Sequence, residues 1–235
     1  MREKNDKEQA QTYQTTDNPE QLLLKFTDNI IDEQGEKKGT LSGKKELDNQ
    51  ISAHLFGFLD SYHVPTHFIK VVSETEILVK NLEMIPFNVV VRNFAGGEIV
   101  EKLNIERGRS LKSPILEYSI KNGENEDIMI SSWHAVALGY VDNEQIRFIE
   151  RMSSKINALF KSFFMRRQLK LIDFELRYGK SKNKILLAGV LSLDTIKLMD
   201  VNTNFQYDHT IFDETPSRAI ALYENILKRI IAGDV

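Results

Sequence analysis

Residues 171–200 read LIDFELRYGKSKNKILLAGVLSLDTIKLMD, and this stretch decides the class of fold. Phe174, Leu176 and Tyr178 alternate with Asp173, Glu175 and Arg177, and a polar segment at 179–183 separates them from the apolar run 185–191. Successive side chains of a strand point to opposite faces, so the pattern predicts a hairpin over 171–191 followed by a turn. One face of its first strand is apolar and the other is charged. The charged face has two readings from pattern alone: an ordinary solvated sheet face, or the floor of a ligand site.

Working outward, helical spacing of Leu47, Ile51, Leu55, Phe58 and Leu59 predicts an amphipathic helix over 46–62, ended by His63-Val64-Pro65. Apolar positions from Ile146 to Phe164 predict a long helix over 144–168, with Arg166, Arg167 and Lys170 at its negative dipole end. A last helix is expected over 217–231. Strands are expected over 22–26, 67–73, 76–81, 88–93 and 113–121, with Pro114 near the start of the last. Residues 12–15 read as a poor edge strand, 27–43 as a loop or flap, 82–86 as a link, 99–103 as a short helix or turn, and 122–127 as a polar turn. The expected class is α+β with two lobes, a strand-rich one over 1–85 and a mixed one over 86–235, meeting at a cleft near 82–86.

Composition narrows the functions. The chain has 235 residues and a formal charge of −3, so no global basic field points to nucleic acid. It has no cysteine, which removes disulfides, thiolate zinc sites and a cysteine nucleophile and fits a cytoplasmic setting. No apolar run is long enough for a membrane helix, and the polar start lacks the apolar core of a secretory signal. The five histidines show no ligand-type pairing and read as surface or structural. Trp133 beside His134 reads as core or rim packing, or as a stacking surface. Arg92, at a strand end beside Gly96-Gly97, has two readings: a phosphate or carboxylate clamp, and a structural salt bridge.

Six segments carry a family resemblance in combination: GKKELDNQIS (43–52), VPTHFI (64–69), ILVKNLEMIP (77–86), VVVRNFAGG (89–97), LIDFELRYG (171–179) and LSLDTIKLMD (191–200). Together they resemble SAICAR synthetase, the phosphoribosylaminoimidazole-succinocarboxamide synthase family of de novo purine synthesis. The family patterns run GKGxLNNxIS, IPTHF, LVKxLxMIP, VVRNxAAGS, LVDFKLEFG and ISPDTxRLWD. The resemblance implies a two-lobe fold with an ATP-binding first lobe. It implies a ligase that joins aspartate to a carboxylated aminoimidazole ribotide using ATP and magnesium, through a phosphorylated carboxylate. It places Lys80, Glu83 and Met84 at the nucleotide base, Arg92 on the ribotide phosphate, Asp127 in the substrate region, and Asp194 and Lys197 as candidate catalytic residues. Gly43, Lys44, Asn49 and Asp173 keep their family places.

The same resemblance exposes departures. Two phosphate-strand lysines correspond to Glu8 and Ala10, and a phosphate-contacting serine to Glu98. On the hairpin the family lysine corresponds to Glu175 and a magnesium-ligating glutamate to Arg177. The acidic pair that follows, whose aspartate also holds magnesium, corresponds to Gly189 and Val190. Magnesium needs hard oxygen ligands, so these positions put its binding in question and predict no metal site of the family type. The expectation is therefore a catalytically impaired or inactive family member that takes a nucleotide or ribotide, alone or assembled with itself or with an intact member. Two alternatives stand beside it: an active divergent synthase, and a related ATP-using enzyme with a changed substrate.

Overall fold

The computed structural model describes residues 10–14, 17–31, 37–97, 100, 102–121 and 127–232. Strands β1 (Ala10–Gln14), β2 (Gln21–Phe26), β5 (Phe68–Ser73) and β6 (Glu76–Lys80) form a four-stranded antiparallel sheet in the order β1-β2-β6-β5. Its small core is Leu24, Phe26, Ile77 and Val79, with Leu22, Phe68 and Val190 packed against it. The segment 27–43, expected as a loop, contains a short hairpin of β3 (Asn29–Ile31) and β4 (Lys37–Thr40). Its charged composition conceals three-residue pairing that no apolar alternation marks.

The second sheet is the larger one. Strand β10 (Leu169–Ser181) runs antiparallel to β7 (Glu83–Phe94) on one side. On its other side it pairs first with β12 (Ile196–Asp200), then with β11 (Lys184–Ala188). Strands β8 (Ser110–Lys121) and β9 (Asp127–Ile130) extend the sheet beyond β7, and β13 (Gln206–Tyr207) extends it beyond β12. Residues 83–86 are thus strand and not a link, and the expected lobe boundary at 85/86 falls inside β7. Residues 196–200, read as part of a turn, form β12. The hairpin turn is confined to Lys182 and Asn183, because Gly179 to Ser181 continue the pairing of β10. Pro114 lies within β8 rather than at its start, in the gap where the β7–β8 register shifts and no amide hydrogen is required. Asp127, expected in a turn, opens β9.

The described residues also form helices α1 (Lys44–Ser61), α2 (Ser132–Ala137), α3 (Asn143–Met165) and α4 (Pro216–Ile231). The left-handed turn that starts α1 falls on Gly43, with φ 91°, where a side chain would be strained. Helix α3 starts on a capping box of Asp142 with Gln145. It ends three residues before the expected 168. Arg167 folds back over the Phe163 ring and donates to the carbonyls of Phe163 and Ile230, and Lys170 lies in β10. Phe174, Leu176 and Tyr178 face the main core, where Phe160 and Phe164 of α3 and Leu55 and Leu59 of α1 meet them. Trp133 belongs to neither core nor rim, being 77% exposed.

Candidate functional site

With the apolar face of β10 turned into the core, Asp173, Glu175 and Arg177 share the opposite face of the sheet. Register carries that face across the neighbouring strands. Asp173 stands opposite Arg92 of β7 on one side and Lys197 of β12 on the other. The plain solvated reading of this face fails at Asp173, which is only 6% exposed. Arg92 donates from Nη1 to Asp173 Oδ2 at 2.8 Å and from Nε to Glu117 Oε2 at 2.6 Å. Two carboxylates therefore fix the guanidinium from both sides, and its Nη2 edge turns toward Gly97. That glycine has φ +64°, and a Cβ there would lie 2.7 Å from Nη2. The double glycine is the local reason a planar guanidinium keeps an open donor edge at the end of a buried strand. The two readings of Arg92 are thus compatible: Nε and Nη1 are held in structural salt bridges, and the Nη2 edge can take an anion.

The other end of the face is built differently. Arg177 stands opposite Ala188 of β11, and the residue after that strand is Gly189, with φ +78°. A Cβ on Gly189 would meet Arg177 Cβ and Cδ at 3.4 Å, so the arginine stem lies directly over the bare glycine backbone. The Gly189 carbonyl accepts from His67 Nε2 at 3.0 Å. His67 is buried, and burial above all, with help from Lys80, pushes its imidazole down to about 4 and keeps it neutral. Its Nε2 is then the donor. His67 also ties the two sheets through its backbone, donating from N to the Leu187 carbonyl at 2.8 Å.

Beside this corner a third apolar cluster, Leu82, Leu186 and Ala188, packs with Met84. Gly179 makes room for it, since a Cβ there would sit 2.7 Å from Leu82 Cβ and 3.2 Å from Met84 Sδ. Glu83 and Met84 pair with Lys180 and Gly179 of β10, and Lys80 Nζ reaches the Thr66 carbonyl at 3.3 Å. The three residues expected at a nucleotide base therefore border one apolar junction. Asp194 behaves otherwise. Its side chain is 2% exposed and holds Lys44 Nζ at 2.5 Å, while Asp48 holds the same ammonium at 2.6 Å. Tyr223 of α4 donates to Asp48. Burial pulls the Lys44 ammonium down, but Asp194 and Asp48 outweigh it and leave its pKa raised. The Asp194 carboxylate is thus committed to a buried ion cluster that joins α1, the turn before β12, and α4.

Comparison with known proteins decides the family. The SAICAR synthetase family model matches residues 8–230. Phosphoribosylaminoimidazole-succinocarboxamide synthase of Thermoanaerobacter sp. (strain X514) is 38% identical over 221 residues, covering 94% of each chain. The crystal structure of the synthase from Ehrlichia chaffeensis superposes with a TM-score of 0.90 at 30% identity, covering 97% of this chain and 98% of that one. A SAICAR synthetase in complex with ADP superposes with a TM-score of 0.91 at 32% identity, covering 98% of each.

The chain belongs to the SAICAR synthetase family.

Membership sharpens the meaning of the Arg177 corner. The positions to which the resemblance assigns a magnesium-binding glutamate and aspartate, Arg177 and Gly189, do abut one another here. They offer a guanidinium and no side chain. Val190, at the second position of the acidic pair, packs into the apolar core of the first sheet. The nearest family-placed carboxylates are engaged elsewhere, Asp173 with Arg92 and Asp194 with Lys44. Among the described residues no three His, Asp or Glu side chains converge on one point. This donor set does not fit a hard divalent cation, which wants carboxylates and phosphates and is repelled by guanidinium.

The remaining sites are quickly placed. Asp127 pairs through its backbone with Lys121 of β8, toward the Arg177 end of the sheet and six residues from the Ile115 that faces Arg92. Ala10 is the first residue of β1 and stands opposite Phe26. Glu8 and Glu98 lie outside the described residues. Four contributors escaped the sequence reading: Glu117, Asp48, Tyr223 and the buried role of His67. Glu117 carried a signal, as an acid two residues from Ile115 on a strand flanking Arg92.

Proposed function

We propose that this SAICAR synthetase family member binds a phosphorylated ribotide at Arg92 and a nucleotide base at the Leu82–Met84–Leu186 junction, with Arg177 supplying the positive charge that the family takes from magnesium. On this reading ligation of aspartate to the carboxylated ribotide is strongly impaired, and the protein acts as a ligand-binding member of its family. The observation that carries it is the Arg177 stem lying over the bare backbone of Gly189, so close that a Cβ there would meet it at 3.4 Å, where two carboxylates would be needed. Guanidinium is a good phosphate partner, so nucleotide affinity survives the exchange. A fixed guanidinium cannot follow the γ-phosphoryl group and its leaving oxygen as a bridging metal does, so turnover suffers more than binding.

A second reading is an active synthase with a metal-free charge arrangement. Its support is the Arg92–Asp173–Glu117 set, which keeps one ligand-facing edge intact, together with relatives at 38% identity named as synthases. Both readings meet one experiment. Purified protein is given the ribotide, aspartate and ATP with magnesium or with chelator, and ADP release is followed while nucleotide affinity is measured calorimetrically. The binding reading expects affinity that magnesium leaves unchanged and a rate at least about a hundredfold below an ordinary enzyme, the loss typical of one missing charge-stabilising donor. Magnesium-dependent turnover near the common value of about 10 per second would overturn it and establish the synthase.

A further inference from the structure

Helix α3 has an inner face committed to the fold and an outer face that the described residues leave exposed. Inward, Asn157 exchanges amide hydrogen bonds with Asn93 of β7, Ser153 meets Tyr178, and Glu150 accepts from Tyr118. Outward, Arg147, Arg151, Lys155 and Lys161 and the cap residue Arg166 are exposed. At the helical turn angle they fall within an arc of about 140°. Small residues, Ser154, Ala158 and Ser162, lie between them. None of the five has an ion-pair partner among the described residues. Arg147, Arg151 and Lys155 follow one another at i, i+4 and i+8, a like-charge series that weakens a helix, and the acid within the arc is Glu144 alone, in the first turn. On a chain of formal charge −3 this face is an island of positive charge.

A groove opens within that island, between the end of α1 and the second half of α3. Its floor is Phe58, Tyr62, Ala158 and Leu159, its rim carries Lys155 and Arg166, and its volume is about 280 Å³. That is smaller than the usual small-molecule pocket and suits a single large side chain. We propose that the outer face of α3 is a docking surface for an acidic peptide segment of another protein. One aromatic or aliphatic side chain enters the groove, and flanking aspartates and glutamates pair with Arg151, Lys155, Arg166 and their neighbours. Charge complementarity selects the acidic partner, since guanidinium groups take carboxylates bidentately. The single apolar groove selects a peptide over a phosphate polymer, which needs no apolar floor, and over a membrane, which needs an apolar band along the helix.

The test is fluorescence anisotropy of the full chain with a labelled synthetic peptide of aspartates and glutamates around one central phenylalanine. Lys155 Nζ also donates to the Tyr62 carbonyl at 2.7 Å, so the charge-reversal variant is Arg151→Glu/Arg166→Glu, which leaves that contact alone. Binding is expected to weaken at least tenfold in the variant, and about tenfold when the peptide phenylalanine is replaced by alanine, with each tenfold equal to about 1.4 kcal/mol. Phosphate binding at Arg92, on the far side of the sheet from this face, is expected to be unchanged and reports correct folding. Equal binding of the alanine peptide, indifference to charge reversal, or capture of heparin or anionic vesicles with no peptide binding would each overturn the proposal. So would a sedimentation result in which the variant turns a dimer into a monomer, because the occupant would then be a second copy.

Discussion

The two ends of the charged face of β10 lie on one strand, four residues apart, yet they are built on different rules. At the Arg92 end every charge has an opposite partner across a strand: Glu117, Arg92 and Asp173 are joined at 2.6 and 2.8 Å. At the Arg177 end a guanidinium lies over a glycine that has only a carbonyl to offer, and that carbonyl is held by a neutral histidine. The apolar face beneath is continuous through both ends, with Phe174, Leu176 and Tyr178 all buried. The difference teaches that the core face specifies this fold, while the opposite face can exchange carboxylate for arginine without disturbing it. An exchange of side chains on that face is therefore local and leaves the fold intact.

The largest effect should come from breaking the paired end. Arg92→Ala leaves Asp173 and Glu117 facing each other with side chains 8% and 6% exposed and no cation between them. Removing one partner of a buried pair costs about 3–5 kcal/mol, and chemical denaturation should read that loss together with the disappearance of phosphate binding. Arg92→Lys should recover part of the stability but little of the binding, because an ammonium cannot span both carboxylates and still present a donor edge.

Titration separates the Arg177 corner from the Lys44 cluster next. His67, which supports the Arg177 corner, is depressed from 6.5 to about 4, chiefly by burial. A base with a lowered folded value contributes stability that is fully present above 6.5 and is lost as pH falls toward 4. Asp48, in the Lys44 cluster, is raised from 3.8 to about 6 by burial, against the opposing pull of Lys44. An acid with a raised folded value contributes stability that is present below 3.8 and is lost as pH rises through 6. The windows overlap with opposite sign, so the two groups offset one another between pH 4 and 6. Asp48→Asn should unmask acid destabilisation over that range, and His67→Gln should unmask the reverse slope. Urea unfolding at a series of pH values reads both, and identical slopes in all three proteins would contradict the assignment.

How much of this was legible in the sequence follows from which forces act locally. The hairpin, the two long helices and the strands around Arg92 were readable because their apolar residues repeat at strand or helix spacing. The β3–β4 hairpin and β12 were not, since the first is short and charged and the second follows a turn that hides its alternation. The Arg92 clamp was half readable: Gly96-Gly97 announced a close approach, whereas Glu117 and Asp173 become its partners only through the register of β7, β8 and β10. The abutment of Arg177 and Gly189 came from the family resemblance alone, because twelve positions apart in sequence they meet only when β11 folds back on β10. Asp194 shows the converse, where the family place suggested a catalytic candidate and only the fold revealed its contact with Lys44.

A milder change at the paired end sharpens the comparison further. Gly97→Ala would set a Cβ 2.7 Å from Arg92 Nη2 in a left-handed conformation. The planar guanidinium is held by two carboxylates, so the stability cost should be at least the ~1–2 kcal/mol expected for a non-glycine residue at positive φ. Phosphate affinity should fall about tenfold, since it depends on the displaced edge. Calorimetric titration of a phosphorylated ribotide would show a stability loss without an affinity loss if Nη2 were not the ligand edge.

The smallest change in stability, and the most informative one, comes from making the Arg177 end resemble a carboxylate-bearing family site. Arg177→Glu with Gly189→Asp restores two carboxylates at neighbouring positions of β10 and the end of β11. The nearest atoms to a new Cβ at 189 are the Cβ and Cδ of residue 177 at 3.4 Å, an ordinary van der Waals contact that a glutamate stem can keep. Asp tolerates the left-handed backbone better than most residues, so the double variant should lose only about 1 kcal/mol. Without metal the two acids repel each other and the phosphates, so nucleotide affinity should drop below that of the native chain. With magnesium it should recover, because a hard cation bridges carboxylates and phosphates. The variant would then show a magnesium-dependent affinity that the native protein lacks. If magnesium raises nucleotide affinity equally in both proteins, the corner is not the metal position and Arg177 is not its substitute.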